Sequence, residues 1–552
     1  MSGQIIIALA QLNPVLGDIA GNAAKLREAR TRAAATGADL IMTSELYICG
    51  YPPEDLVLKR SFQDRIREAV RTLATETADG GPAILLGAPW REDDKLYNAA
   101  LLLDGGRIAA KIFKYDLPNY GPFDEKRVFV PAPLPDPLPF RGVKLGVIIC
   151  EDMWTQSAAL NAKKNGADIL LVPNGSPYEI GKYQTRNRLA AARVAETGLP
   201  LVYLNQLGGQ DELVFDGASF VLDAQGKTVM SMPAWQEGLE AFAFDNGALS
   251  GKDTKVVPPL AGEAAIYHAL MTGLRDYVNK NGFPGVVLGL SGGADSALAA
   301  AIAVDALGPE RVWGVMLSSP YTSQDSTEDA GQLAHALGCK LDSIPIADAM
   351  KTFDASLSPV LGDKLAGVTQ ENIQARIRGL TLMALSNATG SMVLSTGNKS
   401  EISVGYATLY GDMCGGFAVL KDVYKTQVYA LSRWRNAHKP ETGLGPEGAV
   451  IPARTLTKAP TAELRPNQTD QDSLPPYDVL DGILECLIER DMGVREIVAE
   501  GYNAETAARV WSMLDSAEYK RRQAAPGVKI TRRNLSRDRR YPITNKYREK
   551  AG

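Results

Sequence analysis

From residue 4 onward, short apolar runs alternate with alanine-rich stretches of helical spacing, which restricts the chain to layered α/β folds. IIIALA (5–10) reads as a buried strand, and residues 22–37, with Ala, Leu and Arg at helical spacing, read as an amphipathic helix. LIMT (40–43), AILLGA (83–88), AALLLD (99–104), KLGVII (144–149) and DILLVP (168–173) are further strands. The rhythm breaks at GALSGKDTKVVPPLAG (247–262), which is polar, punctuated by Gly and Pro, and aperiodic; this predicts a linker. It then resumes with a helix over 263–280, strand GVVLGL (285–290), a helix from 295, and strands VWGVML (312–317) and MVLST (392–396). Two α/β domains are expected, 1–246 and 263–552.

Composition narrows the function. The 552 residues are 45% hydrophobic and 22% charged, enough apolar material for a core in each half. A net charge of -5 gives no general electrostatic case for nucleic acid or an anionic membrane. No run approaches ~18 apolar residues, and the N-terminus lacks a basic region before its short apolar run, so neither a membrane span nor a secretory signal is expected. Cys49, Cys150, Cys339, Cys414 and Cys486 are odd in number and form no CxxC pair, which argues against disulfides and zinc knuckles and makes the cytoplasm the default. A metabolite-handling enzyme fits best. The only histidines are His268, His335 and His438, so a nucleophile in the first 260 residues must find a base other than imidazole.

Cys150 ends the apolar run KLGVIIC and precedes Glu151 and Asp152, at a strand's carboxyl end where open α/β sheets place ligand sites. A free thiol is only a few per cent thiolate at neutral pH, so its use in catalysis requires a carboxylate or lysine within reach. The segments TSELYICGYPPEDL (43–56), KYDLPNYGPFDEKRVF (114–129), GVIICEDMW (146–154) and NGSPYEIGKYQTRNR (174–188) together resemble the nitrilase-type glutaminases, and the likeness covers residues 1 to about 245. The resemblance implies an α-β-β-α sandwich in which Glu45 is the general base, Lys114 the oxyanion stabiliser and Cys150 the nucleophile. Lys111 is the rival to Lys114, which keeps the family's spacing to Leu117-Pro118. The same resemblance makes Tyr120, Ser176 and Lys182 glutamine contacts, with Glu125 a candidate helper of the Lys114 and Cys150 pair.

In the second half, Ser291, Gly292, Gly293, Ala294, Asp295 and Ser296 follow a buried strand and open an alanine-rich helix. Glycines admit an anion close to backbone N–H groups, and the helix start adds partial positive charge, so phosphate is the natural ligand. No GxxxxGK[ST] occurs, which excludes the Walker-type loop. Gly443, Gly445 and Gly448 spell GxGxxG, but no strand precedes them and Pro446 interrupts them, so a dinucleotide fingerprint is not expected there. SGGADS resembles the loop of the ATP pyrophosphatases, and with ENIQARIR (371–378), STGNKSEISVGYATLYGD (395–412), KDVYKTQVYAL (421–431), PTAELRPNQTDQDSLPPYDVLD (460–481) and EYKRRQAAPGVKIT (518–531) the C-terminal half resembles NAD synthetases.

Together the two halves resemble the glutamine-dependent NAD synthetases. That implies a Rossmann-like parallel sheet with ATP on Gly289, Leu290, Ser291, Gly292, Gly293, Ala294, Asp295 and Ser296, and at Thr396. It implies Mg2+ at Asp295 and Glu401, and deamido-NAD at Asn372, Glu401, Asp412, Lys425 and Lys520. Leu317-Ser318 departs from the Met-Pro pair common in the family, at the adenine pocket. The Lys- and Arg-rich tail, 520–550, reads as a solvated face or terminal arm, with contact to an anionic substrate as the alternative. The resemblance also implies a homo-oligomer, an octamer being one form; given the net charge, nucleic-acid and membrane partners are not expected. A GMP-synthetase-like amidotransferase and a catalytically silent metabolite-binding protein are the rival readings.

Overall fold

Successive side chains of a strand point to opposite faces, and β1 (Ile5–Gln11) is loaded on both: Ile5, Ile7 and Leu9 enter one core, Ala8 and Ala10 another. The structure, a computed structural model, describes residues 4–250 and 255–547. It divides into two units, Met1–Leu260 and Ala261–Gly552.

In the first unit β1 is followed by β2 (Leu40–Met42), β3 (Ala83–Glu92), β4 (Lys95–Asp104), β5 (Arg107–Phe113), β6 (Leu138–Phe140), β7 (Val143–Val147), β8 (Ile169–Asn174) and β9 (Leu201–Asn205). Next come the hairpin β10 (Leu207–Gln210) and β11 (Leu213–Asp216), then β12 (Phe220–Leu222), β13 (Thr228–Ser231), β14 (Gly238–Asp245) and β15 (Ala248–Ser250). They form a seven-stranded sheet, β15-β14-β1-β2-β3-β4-β5, and a six-stranded sheet, β13-β12-β9-β8-β7-β6. The same two-residue alternation gives four layers. Ala8, Ile84 and Leu86 pack outward on Ala23, Leu26 and Ala29 of helix Ile19–Ala35 and on Ile66 and Val70 of helix Arg60–Glu76. Ile7, Leu9, Leu85 and Leu102 pack inward on Leu145, Val147, Ile169 and Leu171 of the other sheet. Leu170 and Val172 face Ala158, Ala162, Ala190 and Val194 of helices Ser157–Lys164 and Lys182–Thr197. This is the expected α-β-β-α sandwich.

The second unit holds β16 (Val286–Gly289), β17 (Val312–Met316), β18 (Lys340–Ser343), β19 (Met392–Ser395) and β20 (Phe417–Ala418), all parallel, in the order β18-β17-β16-β19-β20. The chain moves outward from β16 in one direction and then resumes on its other side, so the loops leaving β16 and β19 part and open a crevice at their carboxyl ends. Helix Ala294–Leu307, buried nearly all round, carries Asp305, which is buried against Arg435 (2.6 Å) and accepts the Tyr267 hydroxyl. A Cβ on Gly445 would stand 2.2 Å from Asp305 Oδ1, so close packing explains a glycine of the 443–448 run.

Two expectations are corrected. The aperiodic stretch 247–262 is not linker from its start, because Ala248–Ser250 pairs with β14 as an edge strand and Ser231 hydrogen-bonds both Lys255 and Val257; residues 251–254 of it lie outside the described residues. The basic tail is not a solvated arm over its length. Arg521, Lys529 and Arg539 are buried and ion-paired with Glu518, Asp538 and Asp515, an arrangement that offsets their desolvation. Its last positions, 548–550, lie outside the described residues.

Candidate active sites

Three residues after β7, Cys150 opens a short 3-10 turn with φ of 47°, a left-handed conformation that costs a non-glycine residue about 1–3 kcal/mol. Asp152 braces that turn: its carboxylate accepts the N–H groups of Ile149 (2.9 Å), Tyr115 (3.1 Å) and Asp116 (2.7 Å), tying the turn to the residues following Lys114. Lys114 is fully buried between two buried carboxylates. Its Nζ donates to Glu45 Oε1 at 2.6 Å and to Glu125 at 2.9 and 3.0 Å. Asn98 Nδ2 and the Gly175 N–H also donate to Glu45, at 2.8 Å each, and the Tyr51 hydroxyl donates to Glu125 at 2.9 Å. Lys111, the rival, sits in β5 with its ammonium on Glu92, well exposed.

Burial shapes the protonation of this cluster. It pushes the Cys150 thiol well above its ordinary value; Glu45 adds to the rise and Lys114 opposes it, so the sulfur rests as a thiol. Burial would depress the Lys114 ammonium, but Glu125, Glu45 and Cys150 outweigh it and hold the ammonium well above its usual range. Glu125 is raised to about 7, by burial first, with Lys114 opposing and Glu45 adding repulsion. The arrangement offers a protonated sulfur, a carboxylate held by three donors and a permanent cation.

The expected glutamine contacts divide. Tyr120 is half-exposed and donates to Glu151, next to Cys150, at 2.9 and 3.0 Å. Ser176 is buried, its Oγ accepting from Arg186 Nε at 3.0 Å; Arg186, itself buried, also holds the Ser176 and Pro177 carbonyls and pairs with Asp216 at 2.7 Å. Lys182 begins a helix with its ammonium 4.7 Å from the centre of the Trp154 ring and 3.9 Å from Glu179. Tyr51, Asn98, Asp152 and Arg186 were assigned no role from the sequence. Three of them lie inside the motifs quoted above; Asn98, a buried polar residue at the edge of an apolar run, was the signal outside them.

In the second unit a cavity of about 320 Å³ opens at the crevice beyond β16 and β19. Gly289, Leu290, Ser291, Gly293, Ala294, Asp295, Ser296, Thr396, Glu401, Asp412 and Lys425 line it, as do Leu317 and Ser318. Gly292 supports the turn from behind: its φ is 76°, and a Cβ there would stand 2.3 Å from the Ser326 carbonyl oxygen. Ser296 Oγ bonds Ser291 Oγ (3.1 Å) and the Gly293 carbonyl (3.1 Å) and accepts the Ser291 N–H (3.3 Å), while Ser291 Oγ accepts the Gly293 N–H (3.2 Å), so the turn's own hydroxyls brace it at the start of the buried helix. Lys425 donates to both Asp295 and, at 3.1 Å, Glu401, so the two carboxylates converge on one cation. Asp412 is raised to about 6 by burial.

Asn372 and Lys520 are not among the lining residues. Asn372 accepts from Thr408, whose N–H binds Asp412, while Lys520 Nζ donates to the Gly405 and Ala407 carbonyls at 2.8 and 2.7 Å.

Residues 6–248 match the carbon-nitrogen hydrolase family model and residues 266–524 the NAD synthase family model. The protein is therefore of the class that fuses a carbon-nitrogen hydrolase unit to a synthase unit. A glutamine-dependent NAD(+) synthetase of Rhodobacter capsulatus is 47% identical over 554 residues, covering 100% of both chains, and one of Acinetobacter baylyi is 45% identical, covering 98% of each. The solved glutamine-dependent NAD+ synthetase of Acinetobacter baumannii, in complex with adenosine diphosphate, matches with a TM-score of 0.79 at 43% identity, over 98% of this chain and 99% of that one. The chain belongs to the glutamine-dependent NAD(+) synthetase family and is an enzyme, a ligase.

Proposed function

We propose that this enzyme amidates deamido-NAD to NAD with ATP, using ammonia freed from glutamine at Cys150. The observation that carries the reading is the buried Lys114, clamped by Glu45 and Glu125 beside a protonated thiol, in a chain whose other unit holds a separate cavity on a glycine-rich turn. Glu45 takes the thiol proton as Sγ attacks the carboxamide carbon, then returns it to the departing ammonia, leaving a thioester. Water activated by Glu45 attacks the thioester, which releases glutamate and restores the thiol. Lys114 keeps Glu45 in place and supplies positive charge for the tetrahedral oxyanion, a preorganised stabilisation. Tyr120, Ser176 and Lys182 bind the amino-acid end of glutamine.

In the second unit the turn Gly289–Ser296, with Thr396, holds the ATP triphosphate through backbone N–H groups and hydroxyls. The pyridine carboxylate attacks the α-phosphorus, pyrophosphate leaves, and an acyl adenylate forms; ammonia then displaces AMP to give the carboxamide. Asp295 and Glu401 suit Mg2+, because two converging carboxylates already share one cation, and the ion would offset charge on the phosphate oxygens. Glu401, Asp412 and Lys425 face deamido-NAD in the cavity, and Asn372 and Lys520 serve it through the segment 405–412 that they hold.

We take the enzyme to be cytoplasmic and homo-oligomeric, an octamer being one such form, and to have no nucleic-acid or membrane partner; among the described residues no helix is long and apolar enough to cross a membrane. The test is product analysis with glutamine, ATP, Mg2+ and deamido-NAD. Equal amounts of NAD, AMP, pyrophosphate and glutamate are expected; ADP and phosphate, or amidation of a xanthine nucleotide instead, would overturn the proposal.

A further inference from the structure

Among the described residues, three cations line the cavity of the second unit: Arg378, Lys425 and Lys458. Two are spoken for. Lys425 bridges Asp295 and Glu401, and Lys458 pairs with Asp329 at 3.0 Å. Arg378, in helix Val368–Thr389, makes one hydrogen bond, from Nε to the Leu317 carbonyl oxygen at 2.9 Å, and among the described residues no carboxylate lies within ion-pair distance of it. The two terminal nitrogens, which carry four of the five guanidinium N–H donors, are left without a protein acceptor among the described residues. Burial holds this group below its ordinary value, with Glu463 and Asp412 opposing only from a distance. Arg378 is only partly exposed, and a partly desolvated cation without a counter-charge weakens a fold, so its place at a ligand-sized cavity calls for an anion that arrives later. The bond to Leu317 also fixes the plane of the guanidinium at the end of β17, and because the acceptor is a backbone carbonyl, the departure from the family pattern at Leu317-Ser318 leaves that anchor intact.

Resting on the proposed function, we infer that Arg378 is a substrate-binding residue that grips a two-oxygen anion, a phosphoryl or carboxylate group, through its paired terminal N–H groups. Three substrate groups share that chemistry: the ATP triphosphate, the dinucleotide's diphosphate and the pyridine carboxylate.

Titration calorimetry on the full chain separates them, with three probes: an ATP analogue bearing a non-cleavable α,β bridge, deamido-NAD, and NAD, which lacks the carboxylate. Arg378→Met, which keeps the aliphatic volume, should weaken at least one probe by about ten- to a hundredfold, the size of a lost charged bidentate contact. Loss for deamido-NAD alone assigns the carboxylate, loss for both dinucleotides the diphosphate, and loss for the ATP analogue the triphosphate. Arg378→Lys, which keeps the charge without the fork, should fall between. Should all three probes bind the Met variant within twofold of wild type, or all weaken together with a lowered melting temperature, the inference is wrong. Failure of the wild-type chain to bind any probe would instead overturn the functional reading of the cavity.

Discussion

Glu125 shows how a carboxyl can be held in a place that resists its charge. Its carboxyl is raised from an ordinary 4.5 to about 7, chiefly by burial, although Lys114 and the Tyr51 hydroxyl favour the charged form. The folded chain therefore binds that proton more tightly than the unfolded chain does. The resulting stability is complete below about 4.5 and is lost as pH rises through about 7. Glu125→Gln should remove this dependence, worth a few kcal/mol at most. Thermal inactivation of glutamine hydrolysis, followed between those pH values, should steepen in wild type and flatten in the variant. Equal slopes would mean that Glu125 is not the titrating group. The sequence exposed Glu45, Lys114 and Cys150 because they lie in distinctive segments. Glu125, in the same segments, was legible only as a candidate helper and Tyr51 not at all, because their contact depends on which buried groups meet, 74 positions apart along the chain, and spacing within a motif does not encode that.

At the scale of elements, the strands legible in advance were those with continuous apolar runs, and the reason is burial on both faces. The inner and outer cores of the first unit each take alternate residues of β1, β3 and β8, so their sequences read as unbroken. β5 was not legible: its residues alternate between exposed and half-buried until Ile112, and it ends the sheet. The edge strand β15 failed for the same reason, with polar neighbours and one covered face. The turn between β16 and its helix was legible because glycine chemistry marks it, and it yields a prediction. Gly292→Ala forces a side chain into a left-handed backbone, at roughly 1–2 kcal/mol, and against the Ser326 carbonyl oxygen, so the turn must move. Synthesis driven by glutamine and by ammonium salts should fall by the same factor, tenfold or more, since in the proposed scheme the turn serves the step common to both. A fall in only the glutamine-driven rate would place the defect elsewhere.

For the whole molecule the question is whether two chemistries on separate units act as one reaction. Cys150 and its carboxylates belong entirely to the first unit, and the cavity with Asp295 belongs entirely to the second. Ammonia is the only species that the proposed scheme passes from one to the other, so an external supply should bypass the first. Cys150→Ala removes the sulfur while leaving the bonds from Asp152 to Ile149, Tyr115 and Asp116 available. Glutamine-driven NAD formation should drop by at least about a thousandfold, as expected for loss of a nucleophile, while formation from ammonium chloride at elevated pH should persist within a few-fold of wild type. Asp295→Ala should abolish both, because it removes a carboxylate from the site where the proposed scheme activates the acceptor and releases Lys425 from one of its two partners. Mixing the two purified variants carries the argument one step further. If ammonia crosses only within an assembly, the mixture should make little NAD from glutamine; if it escapes to bulk solvent, the Asp295→Ala chains should feed the Cys150→Ala chains and much of the rate should return.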